Sequence, residues 1–163
     1  MNGFAKALGN DFEAHKNALR IRKFEFNGHT FKVKVPLTIE SDAISERTKN
    51  LDQSTLDQYF DQLAKQFIDN KEDILKTGDD VVYQDDDVII KGRSLRETAK
   101  NKLLMETRIL EMFKLLVPEE EGFDMSTVTY AMIEELFPFS IQMQLLELIS
   151  DTISPSYKET KGK

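Results

Sequence analysis

Asp79, Asp80, Asp85, Asp86 and Asp87 put five carboxylates within a short span of the chain. Hard cations such as Mg²⁺ or Ca²⁺ need several carboxylates that converge, usually on a glycine-bent loop with ligands at alternating positions. Asp85-Asp86-Asp87 point in successive directions instead, and the glycine and closing glutamate of a calcium loop are missing. Aspartates also build polar turns, because they tolerate unusual backbone angles, so no metal is expected. His15 and His29, the two histidines, lack a carboxylate spaced to orient an imidazole as a general base, and both are expected at the surface. Lys91-Gly92-Arg93-Ser94 precedes a helix but lacks the further glycines of a phosphate cradle. Glu134-Glu135 read as a helix face rather than an acid/base pair, and the absence of cysteine excludes a thiol nucleophile and a disulfide framework. No catalytic residue, metal or cofactor is expected, and the chain reads as no enzyme.

The elements that hold these residues are better marked than any site. Phe24-Glu-Phe-Asn-Gly-His-Thr-Phe-Lys-Val-Lys-Val35 sets Asn27-Gly28 between two runs of alternating apolar residues, a strong signal for a two-residue hairpin turn. Phe24 should then oppose Phe31, Phe26 oppose His29 and Arg22 oppose Val33. Phe24, Phe26, Phe31, Val33 and Val35 should share one face, with Lys23, Glu25, Lys32 and Lys34 on the other.

Beyond Pro36, residues 39–50 form a weak amphipathic helix through Ile39, Ala43 and Ile44. A stronger one starts after Asp52, with Leu56, Tyr59, Phe60, Leu63 and Phe67 in a single stripe that ends by Gly78. Val81–Tyr83 and Val88–Ile90 flank Gln84-Asp-Asp-Asp87 as a possible second hairpin. Ser94-Leu-Arg-Glu97 is a capping-box pattern. It opens the longest helix, with Met105, Ile109, Met112 and Leu116 in line, running to about Leu116 before Pro118. Asp124 or Ser126 starts another helix through about Phe137. Pro138 breaks it, and the last helix carries Ile141, Leu145, Leu148 and Ile149. The expected fold is α+β and mostly helical: a hairpin at about 20–36 on a bundle of four to five helices, with a short hairpin at about 81–90. Residues 1–153 read as a single domain and 154–163 as a disordered tail.

Charge and hydropathy narrow the function classes. The net charge is −7, yet residues 1–36 hold seven Lys/Arg against three Asp/Glu, while residues 37–90 hold five against fourteen. The overall sign disfavours non-specific nucleic-acid binding, and the basic hairpin can attract the acidic middle within or between copies. No apolar run is long enough to cross a bilayer and no signal-peptide pattern opens the chain, so the cytoplasm is the expected compartment. Five of the six methionines fall between Met105 and Met143, among Leu136, Phe137, Phe139, Leu145 and Leu146. Met-rich apolar faces adapt to partners of varied shape. About thirteen large apolar residues between 128 and 149 exceed what one buried face needs.

Phe24-Glu-Phe-Asn-Gly-His-Thr-Phe-Lys-Val-Lys-Val-Pro-Leu-Thr38 and the helix after it, under a third of the chain, resemble the tail assembly chaperones of long-tailed (siphovirus-type) bacteriophages. The 81–90 hairpin departs from that pattern. In that family some ribosomes slip back one base near the end of the gene, usually at a site read as Gly-Lys, and Lys161-Gly162-Lys163 fits such a site. The resemblance implies a non-enzymatic protein of the host cytoplasm, outside the virion. It would bind the helical tape-measure protein and self-associate, and a longer frameshifted form would recruit tail-tube protein. Met132, Phe137, Phe139, Met143 and Leu146 are then the expected partner-binding residues, by helix-in-groove recognition, and Phe137→Asp is expected to spare the fold and abolish capture. The alternative is an acidic inhibitor or decoy for a basic nucleic-acid-binding protein, with Asp57, Asp61, Asp79, Asp80 and Asp85–Asp87 imitating phosphates.

Overall fold

Turn chemistry and side-chain period produce the first strand pair as expected. β1 (Ile21–Phe26) and β2 (His29–Lys34) pair antiparallel, with Phe24 opposite Phe31, Phe26 opposite His29 and Arg22 opposite Val33. Asn27 and Gly28 have φ of 51° and 79°, the left-handed pair that a tight turn needs to match the twist of its strands. Phe24 and Phe31 stack at 5.3 Å. Val33 is fully buried, while Lys23, Glu25 and Lys32 are exposed.

The computed structural model describes residues 3–78 and 80–154. In chain order its helices are α1 (Phe4–Ala7), α2 (Asn10–His15), α3 (Thr38–Lys49), α4 (Gln53–Asp69), α5 (Lys71–Thr77), α6 (Leu95–Phe113), α7 (Tyr130–Leu136) and α8 (Phe139–Ile153). β3 (Val81–Tyr83), β4 (Val88–Ile90) and β5 (Arg93–Ser94) make a second sheet. The fold is therefore α+β and mostly helical. Asp79, the tail beyond Ser154 and Lys161-Gly162-Lys163 lie outside the described residues. Residues up to Ile44 together with those from Ile109 onward form one compact unit, and Ser45–Arg108 form another.

In the first unit, α8 packs on both β1 and β2. Arg22 Nη1 donates to the Thr152 and Ile153 carbonyls at 2.9 and 3.3 Å. These are last-turn carbonyls with no helical donor, where a cation is favoured. Arg20 pairs with Glu40 and donates from Nε to the Val35 carbonyl at 3.0 Å. The Leu37 amide, and then Arg20, hold the Glu40 carboxyl below its usual range against the opposing effect of burial. The longest helix is shorter than its apolar stripe suggests. It ends at Phe113 in a turn, in which the Leu115 and Leu116 N–H groups donate to the Met112 and Phe113 carbonyls. The chain then pairs with β2: Lys34 N–H donates to the Leu115 carbonyl and Val117 N–H to the Lys32 carbonyl, both at 2.8 Å. Leu116 thus bridges Val33 across the outer edge of β2. Ladder bonds from a distant strand outcompete one more helical turn before Pro118. The N-terminal helices α1 and α2 carry too few apolar residues to show any periodicity.

The second unit is built on the α4 stripe. Asp52 caps α4 by accepting from the Thr55 amide at 3.0 Å and the Thr55 hydroxyl at 2.7 Å. Those two bonds hold its carboxyl low. Phe60 and Ala64 are buried with Val88, Leu95 and Ala99, and Leu56, Tyr59, Leu63, Phe67, Val81, Tyr83 and Ile90 pack around them. Tyr83 donates its hydroxyl to the Phe67 carbonyl at 2.7 Å, and Tyr59 donates to the buried Glu106 carboxylate. The short hairpin forms in the expected place but continues through Lys91-Gly92 into β5.

Candidate functional site

The apolar residues around Pro138 are held by two short-range devices. Thr129 caps α7, its hydroxyl accepting from the Met132 amide at 3.3 Å while its own N–H donates to Met132 Sδ at 3.4 Å. A thioether here takes the place of the usual glutamate in a capping box. Helix α7 is much shorter than the expected span from Asp124 or Ser126. Asp124 instead caps a single 3₁₀ turn, Met125–Thr127, through the Ser126 hydroxyl and amide, which hold its carboxyl low. Val128 is extended, so the helix must start again at Tyr130.

Phe137 is extended (φ −129°, ψ 125°), as the residue before a proline prefers. Pro138 then opens α8, accepting from Ile141 and Gln142 at 2.9 and 3.0 Å. Gln142, only 2% exposed, locks the corner. Its Nε2 donates to the Phe137 carbonyl at 2.9 Å, and its Oε1 accepts from the Tyr130 hydroxyl at 2.8 Å. Sequence reasoning missed this residue. The signal was available, because Gln142 stands three and seven positions before Leu145 and Ile149, the helix-face spacing of the two fully buried leucine and isoleucine.

The five expected contact residues do not share one environment. Met132 (40% exposed) and Phe139 (56%) face outward, whereas Met143 and Leu146 are half-buried. Phe139, Met143 and Leu146 recur at helical spacing along one stripe of α8, beside its buried face. Phe137 turns inward. Its ring meets Phe113 edge-on at 5.8 Å, so Phe137→Asp would put a carboxylate against a core ring and tests the fold as well as the face. The most exposed apolar side chain here is Leu136 at 74%, which is not among the five expected contacts. It stands one turn after Met132 on α7, and with Met132 and Phe139 it makes the apolar rim of the corner.

Two of the charged candidates, Asp87 and Asp57, are engaged. Asp87 Oδ1 accepts from the Val88 amide at 2.8 Å and the Arg96 amide at 3.0 Å, and Oδ2 accepts from the Ser94 hydroxyl. Burial pushes its carboxyl up, but those bonds and the Arg96 charge outweigh it and leave it below the usual range. Asp57 is held low by Arg96, at 2.9 Å, and by Gln53. Asp61, Asp80, Asp85 and Asp86 are exposed. Among the described residues no three His, Asp or Glu side chains are placed to hold a metal ion. His15 Nδ1 bonds its own helix at the Asp11 carbonyl, 2.7 Å away. His29 does meet a carboxylate, Glu119 at 4.0 Å, which lies too far along the chain for spacing to reveal. Lys91-Gly92 makes the β4–β5 turn rather than an anion cradle. No family model, no curated protein and no solved structure matches the chain. No described helix is long and apolar enough to cross a membrane. The site therefore has to be read from its own chemistry, and that chemistry is apolar.

Proposed function

We propose that the protein is a non-enzymatic phage tail assembly chaperone that binds the helical tape-measure protein through the α7–α8 corner. The observation that carries this reading is the exposed apolar rim of Leu136, Phe139 and Met132, flanked by half-buried Met143 and Leu146. Such a rim suits a helix bearing its own apolar stripe, since burying one large apolar side chain contributes about 2 kcal/mol and thioethers repack to fit. The β1–β2 hairpin and the helix after it support the family resemblance. In this role the chain works in the host cytoplasm, self-associates, stays out of the virion, and in a longer frameshifted form recruits tail-tube protein.

Co-expression with tape-measure segments tests it. The wild-type chain keeps such a segment soluble, and Leu136→Asp or Phe139→Asp, both at exposed positions, releases it into the insoluble fraction. Equal solubility with the variants overturns the reading. The exposed Asp61, Asp80, Asp85 and Asp86 favour the acidic-decoy alternative, whose complexes would weaken steeply with salt.

A further inference from the structure

Strand β1 presents an open edge among the described residues. In an antiparallel ladder, alternate residues turn their N–H and C=O groups to opposite neighbours. Lys32 and Lys34 turn theirs to the 115–117 segment, and the Arg20 carbonyl turns inward to Val35 N–H at 2.7 Å. Along β1 it is therefore Lys23 and Glu25 whose backbone groups turn outward, where no described strand meets them, while the Ile21 N–H turns back to the Ala18 carbonyl. An edge of this kind is a template for another strand.

The side chains select which strand. Lys23 stands opposite Lys32 within the hairpin, and like charges directly opposed are destabilising. Lys23, Lys32 and Glu25 are all exposed, and none has an ion-pair partner among the described residues. A strand that set an acid beside Lys23 and a base beside Glu25 would complete this edge, and β1 itself, reversed, carries that pattern.

We propose that the protein dimerises by antiparallel pairing of β1 with β1 of a second copy, about a two-fold axis through Phe24. In that register Lys23 faces Glu25 of the partner subunit, Glu25 faces Lys23 of the partner subunit, and Phe24 faces Phe24 of the partner subunit. The charge pairs fall on residues whose backbone groups point outward, and the axis falls on a pair without ladder bonds. There Cα atoms approach to about 4.5 Å, close enough for the Phe24–Phe31 stack to continue into the second copy. A register two residues away sets Lys23 on Lys23 or Glu25 on Glu25, one four residues away sets Arg22 on Arg22, and a shift by one residue turns the bonding groups away. Short edges joined in this way belong with the small, transient interfaces.

The inference gives a surface to the self-association included in the proposed function. It is read from the mass of the chain alone, so it can fail without bearing on partner capture. Sedimentation equilibrium on the full chain at concentrations up to about 1 mM is expected to show the 18.8 kDa species giving way to its dimer. Lys23→Glu alone and Glu25→Lys alone should each weaken dimerisation about tenfold or more while circular dichroism stays unchanged. An equimolar mixture of the two variants should dimerise again, because each then supplies the charge the other lacks, and the doubly swapped chain should match wild type. A wild-type chain that is monomeric throughout, single variants that dimerise undiminished, or a mixture that stays monomeric would each overturn the proposal.

Discussion

Two turns of this molecule share the same pair of φ values and differ in sequence. Asn27-Gly28 joins β1 to β2 with φ of 51° and 79°, and Lys91-Gly92 joins β4 to β5 with φ of 50° and 79°. The first could be read directly, because asparagine accepts the left-handed conformation cheaply. The second could not, since lysine has no local reason to adopt it. What holds Lys91 there is the pairing on either side: Lys91 N–H donates to the Asp80 carbonyl at 2.8 Å, and Val88 and Leu95 are buried in the core that β4 and α6 share. The first hairpin is specified by its turn and the second by what surrounds it.

The largest test of that contrast is Asp87. Replacing it with alanine strands the Val88 and Arg96 amides and the Ser94 hydroxyl, and should cost about 3 kcal/mol in a urea unfolding series. No side chain at Asn27-Gly28 has a comparable role, so Asn27→Ala should cost far less. Gly28→Ala and Gly92→Ala come next. A Cβ at either position meets no atom within 4 Å, so the penalty is conformational, about 1–2 kcal/mol at each, and equal penalties would show that the two turns share their geometry in solution. Smaller again is the exchange of first residues: Lys91→Asn should stabilise by roughly 0.5–1 kcal/mol and Asn27→Lys destabilise by a similar amount, measured as opposite shifts of the unfolding midpoint.

Acid should separate the hairpins as well. The Asp87 carboxyl lies lower in the folded chain than in the unfolded one. Its contribution is therefore fully present above the unfolded carboxylate range, near about pH 4, and is lost as pH falls through the folded value. Stability measured down to about pH 2 should fall less steeply in Asp87→Asn than in wild type.

What could be read from the chain was local. The register of β1 with β2, the stripe of α4 and its start after Asp52 are set by residues within a few positions of one another. At α6 only part of the box is present: the Glu97 amide donates to Ser94 Oγ at 3.1 Å, but Ser94 also serves Asp87. The end of α6 depends on β2, far along the chain, and periodicity carries no trace of it. The delayed start of α7 and the Gln142 lock rest on caps and bonds within 12 positions, whose partners periodicity does not name. The candidate face follows the same rule. An excess of apolar residues between 128 and 149 was visible, but their division was not: Phe137 against Phe113, and Leu136 outward, follow from the angle at Pro138 and from Gln142 closing it.

The most direct test of the α7–α8 face is the affinity of the full chain for a helical tape-measure segment. It should be titrated at about 50 mM and about 500 mM salt, with wild type and with the Leu136→Asp/Phe139→Asp double variant. Apolar capture predicts little change with salt and a loss of about tenfold or more in the double variant, with its unfolding midpoint unchanged. Undiminished binding by that variant, or wild-type binding that collapses at high salt, would contradict it.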